Sequence, residues 1–484
     1  MVDSSIQNIL SNLIILCSTF ILINYISKYN LLKFSPLIVV MLVGFNFLTQ
    51  SGPVIFQTFF FQSVSEKMES PIYTFIYVFL FQMGLLISAF IFQYKLSKYS
   101  SFIRKNFLNP LHLMDLPKNN LLFILGYLGF LSLIYQSRYV GIDSKIEYGD
   151  ITGKFIQSLS IFISAPYLTL FYPKIYSINA PKNSKKIIIY TFLLVIMAIA
   201  LNVRGFIFGG VFNLILIMIL YMALGNLKFN FGMKHFIILI ALIPVFSLAT
   251  DLVFSMAVAR EFRKDNSPVE MVVETLDILS DRDRLNHLKK LSLDTVFSDY
   301  SEDYTGNVMI DRLLSVKFSD LTITEVIKMP SDNVREVVEF SRNKIFSTLP
   351  TPILRIIGSN IDKNENTYSM GDFLRYGSGG FLSQSFLTGS NVAHALILFG
   401  NLFFLILIPY FVIVMVVIHS FEINIRGTFF ISPLILMNLN FLLNFFNSDS
   451  LVDGMQFITR GLFQYGLIYF IIFLFYKKMS INNS

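Results

Sequence analysis

Long apolar stretches alternate with short charged connectors along most of this chain, and one long polar passage, residues 258–391, interrupts the pattern. Apolar runs recur at about 7–26, 32–49, 72–93, 120–137, 155–172, 186–203, 206–224, 235–257, 393–418, 428–447 and 460–476. Roughly 20 apolar residues in a helix cross a hydrocarbon core, so each of these runs predicts a membrane-spanning helix. Pro53 to Gln62 is apolar but too short to cross, which predicts an interfacial or re-entrant piece. The expected fold class is an all-α polytopic membrane protein with eleven transmembrane helices and a large, mostly helical loop. Residues 1–257 carry the first eight spans, 258–391 form the loop, and 392–484 carry the last three.

The polar passage has helix signals of its own. Ser267-Pro268-Val269-Glu270 reads as a capping box with proline at the first helical position. Val269, Val272, Val273, Leu276 and Leu279 then follow near a 3.6-residue period and predict one apolar face. A second helix is predicted from Asn333-Val334-Arg335-Glu336, with Val337, Phe340 and Ile345 buried and Pro350 and Pro352 ending it. The passage therefore reads as a small helical cap and not as a linker.

Composition agrees with the pattern. Of 484 residues, 54% are hydrophobic and 14% charged, against about 25% charged in a typical soluble protein. The net charge of +7 does not point to nucleic acid, because the basic residues sit in short connectors between spans. One set of alternate connectors is lysine-rich, holding Lys28 and Lys33, then Lys95, Lys98, Arg104, Lys105 and Lys118, then Lys174, Lys182, Lys185 and Lys186. The other set is poorer, and the richer set belongs in the cytoplasm. That places the N-terminus and the 258–391 segment outside and the C-terminus inside a bacterial inner membrane. The single cysteine, Cys17, excludes a disulfide within the chain. The N-terminus lacks a basic stretch and a cleavage site, so the first span is expected to be retained.

The candidate chemistry lies on that outer side. Arg204, Arg260, Arg263, Arg312, Arg355, Arg375 and Arg460 occupy positions that the distribution of positive charge disfavours. Guanidinium groups form bidentate, charge-assisted bonds to phosphate oxygens, so a diphosphate is a fitting partner. The structural alternative is that several pair with Asp251, Glu270 or Asp311. His394 begins the ninth span, where the helix dipole disfavours imidazolium and leaves either a neutral base or a cap-like hydrogen bond. Asp449 and Asp453 offer carboxylates, or solvated loop charges, ahead of Arg460.

Other motifs point elsewhere. Asp281-Arg282-Asp283 has carboxylate spacing suited to a metal–nucleotide-sugar site, but a solvated charge run fits its place better. Gly377-Ser378-Gly379-Gly380 lacks the ending of a phosphate loop and reads as a hinge. The histidines are too scattered for a zinc site, so neither metal nor cofactor is expected.

In layout the chain resembles the bacterial O-antigen and capsular oligosaccharide repeat-unit polymerases, the Wzy-type family. The resembling stretches are Asn202-Val203-Arg204-Gly205, Asp311-Arg312-Leu313-Leu314-Ser315 and Leu349-Pro350-Thr351-Pro352-Ile353-Leu354-Arg355, then the glycine-rich passage from Gly371 into Ala393–Gly400. The resemblance implies a metal-independent glycosyltransferase that moves a glycan from undecaprenyl diphosphate to the acceptor sugar of a second lipid-linked repeat unit. It implies diphosphate contacts for Arg204, Arg260 and Arg312. The absence of Trp and the Thr351 between two prolines depart from the family pattern around Arg355. Beside the arginines, His394 or Asp453 is the expected base. A flippase and a chain-length regulator are the expected partners, and nucleic acid is not. An O-antigen ligase and a lipid-linked oligosaccharide flippase are the alternatives.

Overall fold

The computed structural model describes residues 4–137, 151–175, 184–201, 204–227, 248–256, 258–259, 267–294, 303–349, 354, 356, 368–382, 387–425 and 427–482. Among the described residues, four helices are long and apolar enough to cross a membrane: Ser4–Lys28, Pro36–Phe59, Pro71–Leu108 and Leu451–Met479. A fifth is added if Asn391–Ile406 and Ile408–His419, bent by 68°, count as one span. Pro409 at the start of the second half cannot donate to the helical ladder, which accounts for a break here. Asn119–Tyr135, Phe155–Leu170 and Gly210–Ala223 are apolar but shorter. This is the make-up of a helical membrane protein.

The first helix shows the inside-out pattern that lipid permits. Ser11, Ile15, Ser18 and Leu22 are buried, while Leu13, Leu16, Phe20 and Ile23 are 57–70% exposed. Glycines let such helices approach closely. A Cβ on Gly44 would lie 2.1 Å from the Leu443 carbonyl oxygen, and one on Gly84 would lie 2.5 Å from that of Phe404.

Two expectations need correction. Pro53 to Gln62 is not a separate piece, since its part up to Phe59 closes the continuous Pro36–Phe59 helix. A π-turn at Phe47–Ser51 widens the ladder just before Pro53, which relieves the clash a proline ring makes with the preceding turn. Residues 428–447 are not a helical span. They begin as a strand, Thr428–Ile431, paired antiparallel with Glu422–Ile425 so that Glu422 faces Ile431 and Ile425 faces Thr428. Short helices Pro433–Leu436 and Leu439–Leu443 follow. The interruption between them has an identifiable cause. Asn213 donates from Nδ2 to the Leu436 carbonyl at 2.7 Å and accepts the Asn440 amide on Oδ1 at 3.1 Å. Those two backbone groups are the pair that an α-helix would join, so a side-chain amide is wedged into the ladder.

The chain divides into two compact units. The first comprises Met1–Ile103, Tyr300–Ser420 and Phe441–Phe463, and the second Arg104–Asp299, Phe421–Asn440 and Gln464–Ser484. The polar passage is thus shared between units. Its first helix, Pro268–Ser280, belongs to the second unit, with the expected capping box: Ser267 N donates to Glu270 Oε2 at 2.6 Å, and Glu270 N to Ser267 Oγ at 3.4 Å. Its buried face is not the expected one. Met271, Thr275 and Ile278 are buried among Leu194, Leu201 and Leu285, whereas Val269, Val273 and Leu276 are exposed.

In the first unit, the helix Val316–Lys328 is buried along its first nine residues, polar ones included. Asp320 is fully buried and caps the start of the Pro71–Ile91 helix. Its Oδ2 accepts the Glu69 amide at 2.8 Å, and its Oδ1 accepts the Ser70 amide at 2.9 Å and the Thr74 hydroxyl at 3.1 Å. Lys317 lies 3.5 Å from Asp320 and also donates to the Lys67 carbonyl. Burial pushes the Asp320 carboxyl above its usual range, against the opposing effects of Lys317 and the capping bonds. Leu314, Val316 and Tyr304 complete this attachment by packing with Ile15, Val64 and Phe75.

Asp320→Ala removes the counter-charge of Lys317, which keeps only its bond to the Lys67 carbonyl, and leaves two amides without an acceptor. It is therefore expected to cost about 3–5 kcal/mol. A fall in the melting temperature of detergent-purified protein checks this, and an unchanged melt would refute it. Asp311 gives a pH prediction. Burial, with the charge of Asp303, raises its carboxyl to about 6, although Thr305 donates to it from N and Oγ1, both at 2.6 Å. The folded state therefore holds the proton more tightly than the unfolded chain, and stability from this group is lost as pH rises from about 4 through 6. Hydrogen exchange at the Thr305 amide should slow as pH falls through that window, after correction for intrinsic rates, and Asp311→Asn should abolish the excess.

Candidate functional site

The described site residues that converge do so in the first unit, where the Ser331–Ser347 and Asn391–Phe399 helices meet the turn before the Leu451–Gln456 helix. Val337 and Phe340 are buried on the Ser331–Ser347 helix, as its periodicity predicts, and Ile345 is 39% exposed. Ser390 caps the Asn391–Phe399 helix by accepting the Ala393 amide at 3.1 Å, and its hydroxyl lies 2.9 Å from that of Thr322. One turn on, Asn391 and His394 share a face and both reach the 445–451 turn. Asn391 Nδ2 donates to Ser448 Oγ at 3.1 Å.

His394 is fully buried, and both ring nitrogens are engaged. Its Nδ1 accepts the Leu451 amide at 3.2 Å. Because an amide can only donate, the ring proton belongs on Nε2, which lies 3.0 Å from Ser341 Oγ. Ser341 passes its own proton to the Val337 carbonyl at 2.7 Å. The imidazole is a neutral cross-link between two helices and the turn that leads to Asp453.

Asp449 is a second junction. It accepts the Gly389 amide at 2.5 Å and the Met370 amide at 2.9 Å, and lies 3.5 Å from Lys344 Nζ. Gly389 has no room for a side chain here, since a Cβ would sit 2.5 Å from the Asp449 carbonyl oxygen. Asp453, half-buried, uses Oδ2 to cap its own helix, accepting Ser450 N at 2.9 Å and Ser450 Oγ at 3.0 Å. Its Oδ1 accepts no hydrogen bond among the described residues. Seven residues on, about 10 Å along the helix, Arg460 lies in a π-turn, Phe457–Gly461. Arg460 is half-buried, and Nη1 donates to the Thr348 carbonyl at 3.4 Å. Among the described residues no carboxylate pairs with it, and its remaining N–H groups have no partner.

The other arginines are placed differently. Arg312 is exposed on the Val308–Leu313 helix with its guanidinium 5.7 Å from the Phe318 ring centroid. Arg204 begins the Arg204–Ala223 helix of the second unit, with its side chain outside the described residues. Arg260, Arg263 and Arg355 also lie outside them. Of the carboxylates that offered structural pairing, Asp251 bonds Arg282 at 2.5 Å, Glu270 bonds Ser267, and Asp311 bonds Thr305. Asp281 accepts the Arg284 amide at 2.9 Å and caps the helix that follows. Gly379, with φ of 106°, closes the end of the Met370–Gly377 helix, so the glycine-rich passage here is a helix cap. Among the described residues no group of three His, Cys, Asp or Glu side chains converges.

Lys344, Ser341 and Ser450 were absent from the sequence-based candidates, although Ser341 and Lys344 share a helix face at a three-residue spacing. No protein-family model, curated protein or solved structure matches the chain.

His394→Leu leaves the buried Leu451 amide without its acceptor, at about 1–3 kcal/mol, while Ser341 keeps its bond to the Val337 carbonyl. Thermal melting should register that loss, with His394→Gln falling between the leucine variant and wild type. Wild-type stability in the leucine variant would show that the cross-link carries nothing.

Proposed function

We propose that this chain polymerises lipid-linked oligosaccharide repeat units in O-antigen, capsule or exopolysaccharide synthesis. It would transfer the glycan from undecaprenyl diphosphate to a sugar hydroxyl of an acceptor repeat unit. The observation that carries this reading is Arg460, a half-buried guanidinium bonded to one carbonyl, with donors to spare and no carboxylate among the described residues. Such a group suits an anion whose charge grows as a bond breaks, which is the situation of a diphosphate leaving group. Asp453, with Oδ1 unengaged, is the better placed of the two expected bases, and His394 holds the turn that carries it. Arg204, Arg260, Arg263, Arg312 and Arg355 would supply further diphosphate contacts. No metal or cofactor enters this scheme.

In this reading the shorter apolar helices also cross the inner membrane, bringing the spans toward the expected eleven less residues 428–447. The 258–391 segment then faces outward, with a flippase and a chain-length regulator as partners. Reporter fusions after Lys289 and after Lys478 should place the first outside and the second in the cytoplasm, and a cytoplasmic signal from the first would sink the mechanism.

The chemical test is Arg460→Lys beside Arg460→Ala, with Arg204 and Arg312 treated alike. Lysine keeps the charge but loses the planar fork, so both substitutions should lower polymerisation by roughly a hundred- to a thousandfold. Cells should accumulate single lipid-linked repeat units at normal protein abundance. Long glycan from well-expressed alanine variants would remove these residues from the site.

The interrupted helices at 391–419 and 433–443 favour one other reading, a flippase, because transporters build substrate sites at such breaks. That reading predicts repeat units trapped on the cytoplasmic face. The ligase alternative predicts full-length chains left on their lipid carrier.

A further inference from the structure

At one end of the first unit, three segments bring together aromatic rings and lysines with no acidic residue between them. The segments are the close of the Ser4–Lys28 helix, the short Leu31–Phe34 helix and the π-turn Phe92–Leu96. Asn30, with φ of 48°, makes the tight reversal that brings the first two together. No Asp or Glu occurs in residues 4–65 or 70–114.

The rings form a continuous wall. Tyr29 lies 4.9 Å from Tyr25, 5.8 Å from Phe90 and 6.2 Å from Tyr94, centroid to centroid, and Phe90 lies 4.6 Å from Tyr94. Gln93 fastens the wall by donating to the Tyr29 carbonyl at 3.1 Å. Phe90 and Tyr94 remain 43% and 61% exposed. Lys28, Lys33, Lys95 and Lys98 are all exposed, and none is in an ion pair among the described residues. Lys28 Nζ sits 5.6 Å from the Tyr29 ring and Lys98 Nζ 5.4 Å from the Tyr99 ring, so two of the ammonium groups are held against aromatic faces. Tyr25 Oη and Gln93 Oε1 are buried there without a hydrogen-bond partner.

We propose that this lysine-rimmed aromatic wall is a binding site for an anionic glycerophospholipid. The phosphate sits among Lys28, Lys33, Lys95 and Lys98, and an acyl chain lies along Phe90 and Tyr94. Three features select this ligand. The wall lies at the close of the Ser4–Lys28 helix and about 20 residues, one membrane thickness, into the Pro71–Leu108 helix, a depth at which headgroups are found. Four exposed ammonium groups, none in an ion pair among the described residues, in a stretch without carboxylates make a concentrated positive field that attracts an anionic surface. The exposed rings offer apolar contact that a soluble phosphate would not use. The π-turn is what gathers Gln93, Tyr94 and Lys95, a local widening of the kind found at functional sites. Water carried in with a hydrated headgroup would also satisfy Tyr25 Oη and Gln93 Oε1. The proposal is independent of the polymerase reading.

The test compares lipid retained by the full-length protein after transfer from vesicles into detergent. One vesicle set is phosphatidylglycerol and phosphatidylcholine in equal parts, and the other is phosphatidylcholine alone, with adducts counted by native mass spectrometry. Wild type should keep phosphatidylglycerol selectively. Each lysine near an anionic surface contributes about 1 kcal/mol, or about fivefold. Changing all four to glutamine should therefore reduce retention at least a hundredfold, while arginine at the same positions preserves it. Tyr94→Leu should weaken retention a few-fold with the lysines intact. Lys185→Gln with Lys186→Gln, in the second unit, should change nothing. Equal retention of the two lipids by wild type, or undiminished retention by the glutamine variant, would overturn the proposal. Displacement of the lipid by millimolar inorganic phosphate would likewise overturn it, in favour of a soluble-phosphate site.

Discussion

A single carboxylate, Asp320, decides how the polar half of the first unit is attached to its apolar half. A helix that starts at Pro71 presents amides at Glu69 and Ser70 with no intrahelical acceptor, and Asp320 supplies it from 250 residues away. The arrangement stabilises twice over, because the amides are satisfied and the negative charge sits at the positive end of the helix dipole. Lys317, one turn earlier, neutralises what remains. Without this junction the Val316–Lys328 helix would bury Lys317, Ser319, Asp320 and Thr322 for no return. With it, the same residues fix where Thr322 meets Ser390, and so where the helix bearing His394 begins.

That dependence explains which parts of the fold were legible in the sequence. The capping box at Ser267 and the helix after Pro330 were readable because their signals are local. The buried face of Pro268–Ser280 was not, because valines at 269 and 273 match the helical period as well as Met271 and Ile278 do. Only packing against Leu194 and Leu201 settles which stripe turns inward. The Val316–Lys328 helix was illegible for the opposite reason. Its buried positions are polar, and their partners lie on another segment. Residues 428–447 read as a span because an apolar run does not distinguish a long helix from a buried strand and broken turns. For the candidate site, the chain position of His394 was visible, but its partners lie 53 and 57 residues away, and no spacing rule reaches that far.

The breaks in the apolar helices follow one physical rule. Backbone groups at membrane depth must find partners inside the protein, and two of the departures from the α-ladder carry a visible local remedy. Asn213 replaces the missing bond between Leu436 and Asn440 with two of its own. Ser164 donates to the Met437 carbonyl at 2.5 Å, one residue further along. The π-turn before Pro53 keeps the helix continuous where a plain α-turn would clash. An apolar run interrupted by asparagine or proline is therefore a place to expect a specific polar partner.

The same rule separates the charged groups of the candidate site. Asp449 is consumed by two amides and a lysine, Asp453 by its cap on one oxygen, and His394 on both nitrogens. These groups hold the framework, and their hydrogen bonds account for their burial. Arg460 does not fit that account. A guanidinium can be buried in part against a single carbonyl only if the rest of its fork faces something that compensates its charge. In the reading proposed above, an anionic group presented from outside the chain would supply what the described residues do not. The rigid neighbours on the preceding turns would then serve to hold Asp453 in register with it.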